Sequence, residues 1–228
     1  KEYRRQRQMC IRDRLNIMKA HTSETQATTT PEKALEFLKE GNARFVQNLK
    51  ANRDLLSQVN DTREGQWPFA VVLSCIDSRT SAELIFDQGL GDIFSVRIAG
   101  NFVNQDILGS MEFGTNVAGS KLIVVLGHSK CGALKGGLDA EAIHKTGMNN
   151  LCHLVDHFNP IIDEIIKDGE ERSSKNADLL ERLNHQNVIQ TIEDIRNQST
   201  TLNTLEKEGK IKIIGANYCV DSGVVTWL

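Results

Sequence analysis

The chain has 228 residues, 39% of them hydrophobic and 25% charged, with a formal net charge of −3. That length and composition suit an ordinary soluble globular domain, with or without a tail, that buries its core without disulfide staples. The charge balance argues against a nucleic-acid binder, which would carry a basic stripe, and no apolar run approaches the ~20 residues needed to cross a bilayer. Five cysteines, an odd number in a chain too long to need a disulfide framework, point to a reducing compartment, the cytoplasm by default, with thiols kept for metal or chemistry.

Residues 1–30 read as a tail. Arg4, Arg5, Arg7, Arg12 and Arg14 crowd its first half, and a Thr/Ser-rich stretch closes it at Thr30. It lacks the apolar segment of a secretory signal, and Glu2 and Asp13 weigh against a transit peptide. The chain opens on Lys rather than Met, so the expectation is a disordered tail over 1–30. A further expectation is that part of residues 1–17 is not native coding sequence, with Met18 as the start.

A single catalytic domain is expected over 31–228. It begins at Thr30-Pro31, a cap followed by a proline suited to the first helical position. Ala34, Leu35, Leu38, Phe45, Val46 and Leu49 recur at helical spacing and predict a helix over 31–50. Four short, continuously apolar runs follow at Phe69–Ser74, Ile93–Ile98, Leu122–Leu126 and Ile211–Gly215. Such runs predict strands covered on both faces, as in a parallel sheet. Helical patterns lie between them, near 80–87, near 106–118 and over about 149–207, where Val188, Ile189, Ile192 and Ile195 form a stripe. The alternation predicts an α/β fold: a mostly parallel sheet of about four strands, with room for an extra edge strand, flanked by helices and preceded by an N-terminal helical arm.

Cys75 ends the first apolar run, and His128 and Cys131 follow the third. In a parallel sheet these positions lie at the carboxyl edge, where open α/β folds bind ligands, so two thiolates and an imidazole can converge on one point. Zinc suits this donor set, and three protein ligands leave a fourth position open, as in a catalytic site. The His-x-x-Cys spacing alone is a weak signal. Asp77 and Arg79 strengthen it, because a bidentate ion pair beside a cation keeps a carboxylate ionised. Such a carboxylate can orient a zinc-bound hydroxide, which zinc makes available by lowering the pKa of its water to ~7.

The pair Cys75-Ile76-Asp77-Ser78-Arg79 and Gly127-His128-Ser129-Lys130-Cys131-Gly132 resembles the signature of the β-carbonic anhydrase family. The likeness runs from about Pro31 onward and includes Gly41-Asn42-Ala43-Arg44-Phe45 and Arg97-Ile98-Ala99-Gly100-Asn101. It implies reversible hydration of carbon dioxide to bicarbonate and a proton, with one zinc ion per chain on Cys75, His128 and Cys131. Asp77 and Arg79 match the family's catalytic dyad. The resemblance further implies a substrate pocket drawing on Gln66, Gly132, Phe94 and Phe113, with Gln66 reaching across a dimer interface in a homodimer or larger homo-oligomer. Val72 stands where the branch that closes its zinc with the aspartate carries Trp, so an open site is expected. Phe113 stands where the glutamine-bearing branch often has Tyr. Ile76 and Thr80 replace the commoner Ser and Val, changes expected to be tolerated.

Two other functions compete: hydrolysis of carbonyl sulfide or carbon disulfide on the same fold, and a non-catalytic zinc protein or thiol sensor. The glycines of 127–137 lack phosphate-loop and dinucleotide spacing and are read as making room beside the metal and starting a helix. His153 and His157, although i,i+4, lack a metalloprotease glutamate and are read as ordinary histidines. Cys152 and Cys219 are expected to be buried apolar residues, while Cys10 belongs to the tail.

Overall fold

A computed structural model describes residues 17–228. Cys10 and the proposed non-native start therefore lie outside the described residues, apart from Ile17 itself.

The elements run in chain order as α1 (Ser23–Thr28), α2 (Pro31–Val46), α3 (Leu55–Asp61), β1 (Ala70–Ser74), α4 (Ala82–Ile85), β2 (Ile93–Arg97) and α5 (Gln105–Glu112). After a π-helical turn at Phe113–Val117 come β3 (Leu122–His128), α6 (Gly132–Leu138), α7 (Ala140–His144), α8 (Asn149–Asp156), α9 (Asn159–Ile165), α10 (Ala177–Gln198), α11 (Thr200–Lys207), β4 (Lys212–Tyr218) and β5 (Val225–Trp227). The sheet order is β2-β1-β3-β4-β5. The first four strands pair in parallel, and β5 closes the far edge antiparallel to β4. The α/β expectation, extra edge strand included, is met.

Alternation along the strands sorts the core into two layers. Ala70, Val72, Leu122 and Val124 face Leu38 of α2 and Phe86, whereas Val71, Leu73, Ile123 and Val125 face Val188, Ile192 and Ile195 of α10. Every residue of β1 and β3 is buried. The expectation that all strands are covered on both faces fails at β2, none of whose residues is fully buried. It is an edge strand, with Ile93 packed against one core layer and Phe94 and Val96 against the other.

The stretch read as a disordered tail is ordered over 17–30. Thr22 and Thr25 form a reciprocal capping box that starts α1. Gln26 is buried, with Nε2 donating to Pro68 O and Ala118 O at 2.7 and 2.8 Å. His21 sits against the rings of Phe37 and Phe69, with centroids 5.4 and 5.1 Å away. Polar composition hid this segment because its fastening is made by hydrogen bonds rather than by an apolar stripe.

The helix expected over 31–50 stops at Val46. Within it, Gly41 lets the backbones touch, since a Cβ there would lie 1.7 Å from Phe86 O. The neighbouring Asn42 donates to Ile85 O and Gly223 O at 3.2 and 2.9 Å, while its Oδ1 accepts from Val225 N at 3.0 Å. One side chain thus joins α2, the β1–β2 connection and the C-terminal hairpin.

Candidate metal centre

The strand order places β1 between β2 and β3, so the chain leaves β1 to one side and later returns on the other. The crevice outside the carboxyl ends of β1 and β3 is the sheet's switch point, the usual ligand position of such folds. Cys75 is the residue immediately after β1, and His128 is the last of β3. Lys130 takes a left-handed conformation (φ 60°), turning the chain so that Cys131 precedes the first residue of α6.

The ligand atoms of Cys75, His128 and Cys131 all lie within 4.8 Å of one another, and all three residues are buried. The two sulfurs are 3.9 Å apart. His128 Nδ1 lies 2.9 Å from Ser129 O, a contact that fixes Nδ1 as the donor. Its Nε2 is buried without a hydrogen-bond partner. A buried orphan nitrogen beside two converging thiols fits a soft-to-borderline cation such as zinc, which would satisfy all three at once. The thiols influence each other strongly. A hydrogen bond from Cys131 pulls the Cys75 thiol down to about 4, and the same contact pushes Cys131 up.

Asp77 lies on the loop after Cys75. Its Oδ1 accepts from Arg79 backbone N and Nε at 3.0 and 2.9 Å, and its Oδ2 accepts from Arg79 Nη2 at 2.8 Å. These bonds hold the carboxyl well below the usual carboxylate range, helped by the Arg79 charge. The fork also fixes the direction of the carboxylate.

The loop is fastened by two residues whose roles the sequence left unread. Arg97, last in β2, donates from Nε to Cys75 O at 3.0 Å and from Nη2 to Asp77 O at 2.6 Å. Thr80 Oγ lies 2.9 Å from each of the same two carbonyls. A valine at 80 would offer no hydroxyl, so the threonine does more than substitute tolerably. The sequence signalled Thr80 by its closeness to the ligand motif and Arg97 by its place in the Arg97–Asn101 stretch of the family likeness.

The proposed pocket residues divide. Gly132 adjoins Cys131, and a Cβ there would meet nothing within 4 Å, so space is open beside the site. Phe94 and Phe113 pair edge-to-face at 6.3 Å and line an open groove of about 1300 Å³ along β2 and α5, with Phe113 53% exposed. Gln66 is exposed on the loop before β1, whereas Cys75 follows its other end. The strand separates them by roughly 17 Å at ~3.3 Å per residue, so one chain does not bring Gln66 to the metal ligands.

Other expectations are settled by packing. His157 stacks on Phe102 at 4.0 Å, and burial lowers its pKa; His153 is exposed. Cys152 and Cys219 are half-buried rather than buried, which corrects that reading: both sit at the margins of the packed layers. Cys219 helps line a cavity of about 360 Å³ with His128, Cys131, Asn184 and Tyr218.

Fold and site together define an α/β protein with a Cys–His–Cys cluster able to hold a metal at the sheet's switch point. Comparison with known proteins narrows this class. The carbonic anhydrase family model matches residues 70–225. Carbonic anhydrase 2 of Mycobacterium tuberculosis (strain ATCC 25618 / H37Rv) is 35% identical over 199 residues, 86% of this chain and 91% of that protein. The carbonic anhydrase of Mycolicibacterium smegmatis is 36% identical over 199 residues, 86% and 93% of the two chains. Among solved structures, the β-carbonic anhydrase CcaA superposes with a TM-score of 0.66 at 22% identity, covering 86% of this chain and 85% of that one. The Coccomyxa β-carbonic anhydrase in complex with acetazolamide gives 0.64 at 21%, covering 74% and 75%. These two support the fold. The chain belongs to the β-carbonic anhydrase family and is an enzyme.

Proposed function

We propose that the chain catalyses reversible hydration of carbon dioxide to bicarbonate and a proton, with one zinc ion held by Cys75, His128 and Cys131. The observation that carries this reading is the convergence of the three ligand atoms beside a carboxylate whose two oxygens are both engaged by Arg79. When bound, zinc supplies a coordinated water whose pKa is lowered to ~7. The protein's own groups do the rest. Asp77 accepts a hydrogen bond from the attacking oxygen's proton and so aims a lone pair at the carbon of the substrate. Its depressed pKa leaves it ionised near neutrality, so it orients without storing the proton, which passes to buffer. Arg79 fixes the acceptor, and Arg97 with Thr80 holds the loop that carries it. Arg79 engages both oxygens of Asp77, which competes with either of them closing the metal position and supports an open site.

We further propose that a second copy covers the β2 side. Phe113, Val117 and Leu84 are exposed there at 53%, 70% and 64%, an apolar patch that favours burial. Gln66, stranded at the wrong end of β1, would enter a pocket only from a partner chain. Tetrameric β-carbonic anhydrases of Sordaria macrospora share the fold, with a TM-score of 0.54 at 20% identity. A reducing compartment, the cytoplasm, suits thiolate ligands; among the described residues no helix is long and apolar enough to cross a membrane.

Metal analysis paired with stopped-flow hydration of carbon dioxide tests the proposal. One zinc per chain with rapid hydration is expected. A zinc-loaded protein that is inert towards carbon dioxide but hydrolyses carbonyl sulfide or carbon disulfide would move the substrate.

A further inference from the structure

The turn after β2 reaches back to the first ligand, because Gly100 N–H is aimed at Cys75 Sγ from 3.4 Å. Gly100 (φ 82°) and Asn101 (φ 44°) are consecutive left-handed residues, a conformation that L side chains resist. The turn is also pressed from outside. A Cβ at Gly100 would lie 2.4 Å from Cζ of Phe158, which is fully buried. A strained turn keeps its shape only if its surroundings fasten it.

The fastening comes from α10. Asn187 Nδ2 donates to Gly100 O at 2.9 Å, and Thr191 Oγ donates to Asn101 O at 3.4 Å. The two residues are four apart, so they share one face of the helix. Both are buried, flanked by the core residues Val188 and Ile192. A buried amide is costly unless paired, and the carbonyl that Asn187 pairs belongs to the residue whose N–H meets the ligand sulfur.

We propose that Asn187, seconded by Thr191, is a positioning residue for the metal centre. It anchors the Gly100–Asn101 turn so that Gly100 N–H stays directed at the Cys75 sulfur, which fixes that ligand's approach to the ion. The inference rests on the zinc reading above. Outer partners of this kind change metal affinity by ~10–100-fold when removed.

Asn187→Ala and Asn187→Leu, made in the full chain and loaded with zinc, test it by zinc transfer to the chelator 4-(2-pyridylazo)resorcinol. Cobalt(II)-substituted samples report the sulfur-to-metal charge-transfer band, and circular dichroism reports folding. In folded variants zinc transfer is expected to quicken at least ~10-fold with a shifted cobalt band. Folded variants that release zinc within twofold of the parent overturn the proposal. Faster release with an unshifted band also overturns it, since that is general loosening. If neither variant folds, Thr191→Val decides by the same two readouts. A parent that binds no zinc defeats the zinc reading; a zinc-loaded, active parent with indifferent variants defeats this inference alone.

Discussion

The carboxyl edge of β1 and β3 and the outer face of β2 are neighbours in one sheet, yet they are finished to different degrees. At the first, every ligand is buried and the dyad is bonded within a single chain. At the second, Phe113 is half exposed, no residue of β2 is fully buried, and Gln66 lies at the far end of β1. On the proposed reading the chemistry is built intramolecularly, whereas the enclosure of substrate would fall to a neighbouring surface. Changes at the two places should therefore fail in different ways.

The largest effect is expected from His128→Ala. It removes one of three ligands and should leave zinc far below one equivalent and hydration at the uncatalysed rate, read by metal analysis and stopped flow. Asp77→Ala comes next: zinc stays bound while kcat falls ~10²–10³-fold, the loss typical of one oriented group at a reacting oxygen. A zinc-loaded, fully active D77A protein would remove the dyad from the mechanism.

On the β2 face, Phe113→Glu places a charge in the exposed apolar patch. Subunit dissociation constants should rise by about 30-fold or more, the equivalent of a ~2 kcal/mol contact. Zinc content should stay as in the parent; sedimentation of the variant as a parent-like oligomer in an ultracentrifuge would move the interface elsewhere.

A smaller change sharpens the metal side. Arg79→Lys breaks the fork and should lower kcat about tenfold, as expected for one charge-assisted bond. The sign of its pH effect follows from the pair. Arg79 depresses the Asp77 pKa, so weakening the pair raises it, and the loss of stability on acidification begins at a higher pH. The stability the pair gives is present above the ~3.9 of an unfolded Asp and is lost as pH falls through the lower native value. Smallest of all, Phe113→Tyr restores a hydroxyl to the groove and should lower KM by a few-fold with kcat unchanged, about 1 kcal/mol of hydrogen bonding.

Much of the metal side was legible in the sequence because strand ends, ligand chemistry and spacing agreed on Cys75, His128 and Cys131. β1 and β3 were equally plain, since central strands read as unbroken apolar runs. β2 carries nearly the same composition, and only its place at the sheet's edge decides its exposure. The long helical region over 149–207 resolves into α8 to α11, because its apolar stripe does not record where the chain bends. α1 and α3 were missed for a different reason. Each is short: α1 is polar, started by the Thr22–Thr25 capping box with Gln26 in place of an apolar anchor, and α3, started by a cap bond from Asp54, leaves Leu55, Leu56 and Val59 exposed. Asn187 was invisible for the same cause, an amide whose meaning depends on a carbonyl 87 residues away.

The contact of Gly41 with Phe86 O and the three bonds of Asn42 have one more consequence. They work as a keyed joint: the helix can neither slide nor roll without shearing a backbone contact and an amide clasp together. The first long helix and the closing hairpin, nearly two hundred residues apart, must then come loose in concert, so protection of both against hydrogen exchange should vanish in a single step.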